Sequence, residues 1–406
     1  MSQLGRVRAA FALVFAVGMS GCAWFERVHG PSGPINEPAT ATEVWEIAIS
    51  DNGRFVAYES YASDLVDDDT NGKGDIFVRD TVTDTTEIVS VATAGSLGNG
   101  HSRMPSISDD GRYVAFMSQA TNFTPGDDAT SDVFVHDRVE HTTTLISTGY
   151  GFDEFTAPFA GDPETSNVVY PQISGDGSTF AWNVDARLSI AAATIPTGPF
   201  VAVRNETPRR IPSRAWAGPP SLSDDGRRVA HASFDLPTAG FNVDYESSVH
   251  AADTGDLLRT VETGTMLLEG DTPPSIVISG NGRHVASSGP ANIVRRTRIL
   301  TGESVELATG TFVRVTSMAD DGSRTTFRTY ADRWMSLATV IRPGEIRYTG
   351  TDSIGRRSIN VQSGVISGDG KWVAFIAIDP TDEDAVGGYP FDAFIRSVDR
   401  RDHGPV

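Results

Sequence analysis

The stretch Asp67-Asp68-Asp69-Thr70-Asn71-Gly72-Lys73-Gly74-Asp75 reads D-x-D-x-N-G-x-x-D, with side-chain oxygens at its first, third, fifth and ninth positions. A hard divalent cation takes several oxygen ligands from a short, sharply bent loop, and glycine at the sixth position supplies the bend. Asp67, Asp69, Asn71 and Asp75 are therefore candidate ligands for a structural calcium ion. The competing reading is a solvated acidic turn that leads into the strand Asp75-Ile76-Phe77-Val78. Its counterpart one repeat later, Gly126 to Asp132, is shorter and lacks Asn-Gly. Other chemistry has little support. There is no G-x-S-x-G elbow, no H-E-x-x-H and no G-x-x-x-x-G-K-[ST], and the eight histidines are scattered with no pair at helix-face spacing.

Beyond its oxygen pattern, the acidic stretch resembles the first nine positions of the EF-hand calcium loop. The twelfth position, a bidentate Glu in that loop, is Val78 here. A second local signal lies at the amino terminus. Arg6 and Arg8 precede an apolar run from Ala9 to Met19, too short to span a bilayer as a helix. Small residues then lead into Cys22, the only cysteine, which has no intramolecular disulfide partner. Met19-Ser20-Gly21-Cys22 resembles the lipobox of bacterial lipoproteins, with Met19 in place of the usual Leu. That resemblance implies a signal peptide over 1–21, acylation of Cys22 and a lipid-anchored address in a bacterial cell envelope. Residues 22–42, with HGPSGPINEPATAT, read as a flexible tether.

The elements that must position any site repeat along the chain. ISDNGRFVAY at 49 recurs as ISDDGRYVAF (107), ISGDGSTFAW (173), LSDDGRRVAH (222), ISGNGRHVAS (278), MADDGSRTTF (318) and ISGDGKWVAF (366). Their glycines, from Gly53 to Gly370, are 40 to 66 residues apart. Each copy reads as a strand end, a turn closed by glycine at φ > 0, and an alternating second strand. A third strand follows, as in Asp75-Ile76-Phe77-Val78-Arg79-Asp80 and Asp132-Val133-Phe134-Val135-His136-Asp137, and then a fourth, as in Thr85 to Ser90. Four strands per repeat predict an all-β chain built as a β-propeller of seven blades over 43–406. A six-bladed ring with one degenerate copy, or an open array, is the alternative. Only eleven residues follow Ile395, so the ring is expected to close with an amino-terminal strand near Ala39 to Glu43.

The ten-residue motif resembles the WD40-like PD40 repeat of TolB-type propellers, with S-x-D-G-[KR]-x-[IV]-A-F in each blade. The copies at 49, 107 and 366 match well, whereas MADDGSRTTF loses the Val-Ala step. TolB carries a separate α/β domain ahead of its propeller, so the resemblance extends to the repeat and not to TolB's partners.

In such a ring the positions ten and eight before each turn glycine surround one mouth of the central channel. Among them are Trp45, His101, Arg103, Trp216, Arg314 and Gln362, aromatic, basic and amide groups suited to a sugar or peptide. Two functions follow. One is an envelope lipoprotein whose propeller is a binding or scaffold module for a protein or glycan partner. The other is a lyase or hydrolase acting on an extracellular polysaccharide or peptide, with His101 and Arg103 or Arg314 at the mouth. Fold alone does not choose between them. The formal charge of −20 argues against nucleic acid as a partner, and a monomer is expected.

Overall fold

Every turn glycine is followed by an alternating run, and in the computed structural model each run becomes the second strand of a four-stranded antiparallel sheet. The structure describes residues 26–27, 44–125, 131–147, 170–184, 198–235, 242–267, 272–331, 334–348, 361–378 and 391–398. Blade one is Val44–Ile49, Phe55–Ser60, Asp75–Asp80 and Thr85–Ile88, hydrogen-bonded in that order. Blade two is Ser102–Ile107, Tyr113–Ser118, Asp132–Asp137 and Thr142–Leu145, and blade three runs from Gln172–Ile173 to Arg209–Arg210. Blade four has an inner strand split into Trp216–Ala217 and Ser221–Leu222, and its last two strands, Asn242–Ala251 and Leu257–Leu267, are long. Blades five and six begin at Ser275–Ile278 and Thr311–Met318. Blade seven holds Val361–Ile366, Trp372–Ile378 and Phe391–Ser397. No helix occurs among the described residues. The chain is a seven-bladed β-propeller, and the weak copy at 318 forms a complete blade.

The ring closes with a strand from the amino-terminal side, but further upstream than expected. Glu26–Arg27 pairs antiparallel with the last strand of blade seven, Glu26 opposite Ile395 and Arg27 opposite Phe394. These two residues fall inside the stretch read as a tether, whereas 39–43 lie outside the described residues. Among the described residues blade seven has three strands of its own, and Glu26–Arg27 covers the backbone edge that Phe391–Ser397 would otherwise expose.

The core is not one mass but a series of layers between neighbouring blades. Val56 and Tyr58 of blade one pack with Ala374, Ile376 and Ile395 of blade seven. Ala57 and Val78 pack with Val114 and Phe116 of blade two, and Val135 with Phe180 and Phe200 of blade three. Equivalent layers join the remaining pairs. A blade buries its two faces only against neighbours, so the ring is the smallest unit that hides all of them.

The repeated motif supplies the cement of each junction. Within a copy, Ser50 Oγ accepts from Phe55 N and Asn52 Oδ1 accepts from Arg54 N, which fixes the turn. Copies two, three, four, five and seven repeat both bonds with their own Ser and Asp or Asn. The residue two after each glycine then lies beneath the glycine of the next blade. A Cβ on Gly111 would meet the Phe55 ring at 2.1 Å, one on Gly177 the Tyr113 ring at 2.4 Å, and one on Gly53 the Trp372 ring at 2.4 Å. Arginines cover those rings: Arg54 and Arg138 lie over Phe55, Arg112 and Arg204 over Tyr113. Arg54 and Arg112 also form two-pronged pairs with Asp80 and Asp137, which hold both carboxyls down near 2.

Gly111 has φ +73°, so Gly111→Ala combines left-handed strain of roughly 1–2 kcal/mol with displacement of the Phe55 ring, another 1–3 kcal/mol. Urea denaturation is expected to show a loss of about 2–4 kcal/mol. Gly95→Ala, at φ +81° in open space, is expected to lose only about 1 kcal/mol. Equal losses at the two positions would dismiss the packing role.

Candidate functional site

The inner strands run side by side along the central channel, and serines bond several of them to the next. Ser106 Oγ accepts from Ile173 N at 3.1 Å, Ser221 Oγ from Ile278 N at 3.1 Å, and Ser275 Oγ from Val315 N at 3.0 Å. They enclose a cavity of about 350 Å³. That volume suits a small molecule or one protruding group.

At the mouth where the inner strands begin, four of them bulge. The register slips between Val44 and Ile47, Arg103 and Ser106, Thr311 and Arg314, and Val361 and Ser363. Bulges re-aim side chains, and among the residues they carry are Glu46, Met104 and Phe312. Met104 (φ 56°) and Phe312 (φ 52°) adopt the left-handed conformation that large residues avoid. Phe312 is 52% exposed and meets Tyr330, 45% exposed, edge-to-face at 5.6 Å between ring centres. Arg314 stands directly opposite Arg328 on the neighbouring strand, and both line the cavity together with Glu46 of blade one. Burial pushes the Glu46 carboxyl up to about 7, against the pull of Arg328 and Arg314. Arg328 is itself lowered, first by burial and then by Arg314.

The remaining sequence candidates are distributed differently. His101 directly precedes the inner strand of blade two, where its Nδ1 accepts from Gly74 N at 2.9 Å and its ring lies 5.5 Å from Tyr61. Arg103 donates to the Tyr61 hydroxyl at 2.9 Å and approaches Glu59 at 3.8 Å. Both therefore tie blade two to blade one, and neither lines the cavity that holds Arg314. Trp45, Trp216 and Gln362 lie in the inner strands of blades one, four and seven. The trio His101, Arg103 and Arg314 is not assembled into one pocket.

The opposite mouth carries a group that the motif count does not single out. The residue after each turn serine is Asp51, Asp109, Gly175, Asp224, Gly280, Asp320 or Gly368 in ring order, with Ala319 replacing that serine in blade six. Backbone bonds link all seven junctions: Asp51 N to Asp109 O, Asp109 N to Gly175 O, Asp176 N to Asp224 O, Asp224 N to Gly280 O, Asn281 N to Asp320 O, Asp320 N to Gly368 O, and Asp369 N to Asp51 O. The glycines make room for the carboxylates. A Cβ on Gly280 would meet Asp224 at 1.9 Å, one on Gly175 Asp109 at 2.1 Å, and one on Gly368 both Asp320 and Asp51. Burial first, and mutual repulsion second, raises Asp109 to about 6, Asp224 to about 7 and Asp320 to about 8. The alternation of Asp and Gly at one motif position was the available signal. Glu46 and Arg328 left none, because only the bulges and the strand register bring them to the channel.

In the acidic loop of blade one, Asp69 and Asp75 are buried and Asp67 is exposed. Asp75 accepts from Ser90 Oγ at 2.6 Å and from Asn71 Nδ2 at 2.8 Å, and burial lifts it to about 6. Asn71 Oδ1 accepts from Lys73 N. Asp69 Oδ1 is buried without a hydrogen-bond partner. Asn71 and Asp75 thus meet directly, and Asp69 is near enough to add to the raising of Asp75. Among the described residues no three or more His, Cys, Asp and Glu gather around one point. Gly126 to Thr130 of the blade-two counterpart lie outside the described residues, as does Cys22.

Several solved structures share the architecture. The β-propeller domain of Cps50 (Swd1) from Myceliophteria thermophila has a TM-score of 0.50 at 11% identity, covering 88% of this chain and 99% of that one. TolB from Acinetobacter baumannii has a TM-score of 0.39 at 13% identity over 88% of this chain and 55% of its own, so the chain matches about half of TolB's length. Hydrazine synthase from Kuenenia stuttgartiensis has a TM-score of 0.47 at 13% identity, over 86% and 96%. At such identities the likeness, to WD40-type and TolB-type propellers, concerns the fold alone. No protein-family profile and no curated protein matches the chain.

The aspartate mouth has a pH signature. A carboxyl raised in the folded state keeps its proton after the unfolded chain has lost it near 3.8, so its stabilisation is full below that value and falls as pH rises through the folded value. His136 and His231, depressed by burial to about 4 and about 3, act in the opposite sense but are finished above 6.5. Between pH 6.5 and 8.5 the melting temperature is therefore expected to fall by a few degrees, with Asp320→Asn shrinking that fall. A flat or rising profile in that window would contradict the carboxyl crowding.

Proposed function

We propose that this chain is a lipid-anchored bacterial envelope protein whose propeller is a binding or scaffold module for a protein or glycan partner. The partner engages the bulged mouth of the channel. The observation that carries this reading is the exposed Phe312–Tyr330 pair, with Phe312 in a strained backbone conformation beside Arg314. Strain of about 1–3 kcal/mol persists where the surroundings impose it, and such sites cluster at ligand-binding positions. Aromatic and arginine side chains are also those enriched at the energetic centres of interfaces. The lipobox around Cys22 supports the envelope address.

A photo-crosslinking residue placed at Phe312 and activated in intact cells is expected to trap a discrete adduct. The same residue at Leu300, 88% exposed beside the third strand of blade five, serves as the control. Equal labelling at both positions, or none at Phe312, would retire the mouth as the binding surface.

Calcium in the blade-one loop is a separate, structural proposal, supported by the unpartnered Asp69 Oδ1 and the neighbouring Asp75. An ion bound only to the folded state stabilises by about 2.7 kcal/mol at a hundredfold excess over its Kd. Thermal melts in millimolar calcium are thus expected to exceed those in chelator, with Asp69→Ala erasing the difference. Superimposable melts would make the loop a solvated turn.

A further inference from the structure

We infer that the turn end of the propeller rests on the bilayer, with a groove between blades four and five docked on anionic phospholipid headgroups. Phosphates sit at Arg228, Arg283 and Arg298, and Leu258 and Leu300 enter the interface beside them. This rests on the reading of Cys22 as a lipid anchor and adds the face that meets the membrane.

The groove arises where the repeated junction is rewritten. In blades one and two the residue after the turn glycine clamps the last residue of the third strand, Arg54 with Asp80 and Arg112 with Asp137. Blade five has arginine at both positions. Arg283 follows Gly282, and Arg298 stands opposite His284 as Asp80 stands opposite Phe55. The place beneath the next glycine changes as well. Phe55 lies under Gly111, but Arg228 lies under Gly282, where a Cβ would meet its Nη1 at 2.6 Å. Among the described residues the side chains of Arg228, Arg283 and Arg298 make no hydrogen bond or ion pair. With Arg259 they line a groove of about 650 Å³ whose described lining includes no acid. Guanidiniums gathered without a counter-charge form an anion receptor, and phosphate oxygens match their planar forks.

The other walls are apolar. Leu258 and Leu300 line the groove, and Leu300 is the most exposed large apolar residue among those described. The next two are Val82 and Val139. All three hold one position, the second residue after the third strand, in blades five, one and two. Exposed apolar residues scattered singly carry no meaning, whereas a set at one end of a molecule marks a contact surface. Arginine beside leucine suits a bilayer interface, with the cation among the phosphates and the leucine at the acyl boundary.

The chain also enters from this end. Glu26 pairs with Ile395 and Arg27 with Phe394, on a third strand that finishes at Ser397 on the turn side. The closing strand therefore starts at the turn end and runs away from it, and only three residues lie between Glu26 and Cys22. An acylated Cys22 thus holds the turn end, and not the bulged mouth, toward the leaflet. The groove shares no lining residue with the channel, so its arginines are separate from the carboxylates of the central mouth. The bulged mouth faces away from the membrane, open to a partner.

The test uses the full-length protein reconstituted in vesicles of phosphatidylcholine and phosphatidylglycerol. Because Cys22 is the only cysteine, Leu300→Cys gives an acylated chain one free thiol for a fluorophore. Leu267→Cys, exposed at the far end of the last strand of blade four, is the comparison. A lipid-borne quencher is expected to quench the label at position 300 severalfold more than the label at 267. Each arginine at an anionic leaflet contributes about a fivefold factor, so Arg283→Gln with Arg298→Gln should lower the docked-to-free ratio about 25-fold. Both arginines are exposed, so an unchanged melting temperature is expected alongside. Equal quenching at 300 and 267, or quenching at 300 that survives the double exchange, would overturn the docking and leave the anchor in place. Two labels on each Leu300→Cys chain, with protein that fails to float with the vesicles, would overturn the anchor, and the docking falls with it. In the docked protein a crosslinker at Leu300 meets lipid and gives no protein or glycan adduct, so that position still serves as the control for the channel mouth.

Discussion

The junction between blades, where a side chain from one turn fills the space over the glycine of the next, governs the rest of this molecule. Phe55 under Gly111 and Tyr113 under Gly177 set the distance and angle between sheets, and the arginines above them seal each contact. The same turns carry the seven backbone bonds that run around the channel. Because each bond joins consecutive blades, no blade can shift without straining two neighbours. The channel diameter is a consequence of this chain of contacts and not of any single sheet.

The two mouths are consequently unlike. The turn end is tied by its backbone ring and crowded with carboxylates, whose space exists because glycine occupies the intervening positions. At the opposite end the inner strands bulge and present aromatic and arginine side chains. A carboxylate-lined mouth and a basic–aromatic one give the channel an electrical direction. In a chain of net charge −20, the arginine pair is a local inversion of the surrounding field.

Much of the fold was legible in the sequence because the turn chemistry repeats. Ser, Asp and Gly at fixed offsets announce the hairpins, and the Val-Ala alternation announces the strands. Even MADDGSRTTF, without the turn serine, forms its blade, since Asp321 Oδ1 still accepts from Ser323 N and the neighbours supply the packing. The site was less legible. Counting back from the glycines reaches Arg314, which lines the cavity. The same count also picked out His101 and Arg103, whose side chains turn to Tyr61. Residue counting cannot see a bulge, and one inserted residue changes which side chains face the channel. Arg328 and Glu46 depend on register and on the approach of blade one to blade six around the ring. Closure at Glu26–Arg27 escaped because two residues carry no periodicity.

That short closing strand has a mechanical meaning. Three residues separate Cys22 from Glu26, at most about 14 Å of extended chain across the intervening links. Were Cys22 held in a bilayer, any tug on the domain would arrive first at the two pairs Glu26–Ile395 and Arg27–Phe394. The clasp of the ring and the mooring of the protein would then be the same piece of chain. Tension would load blade seven before any other, making it the weak link through which force could open the circle.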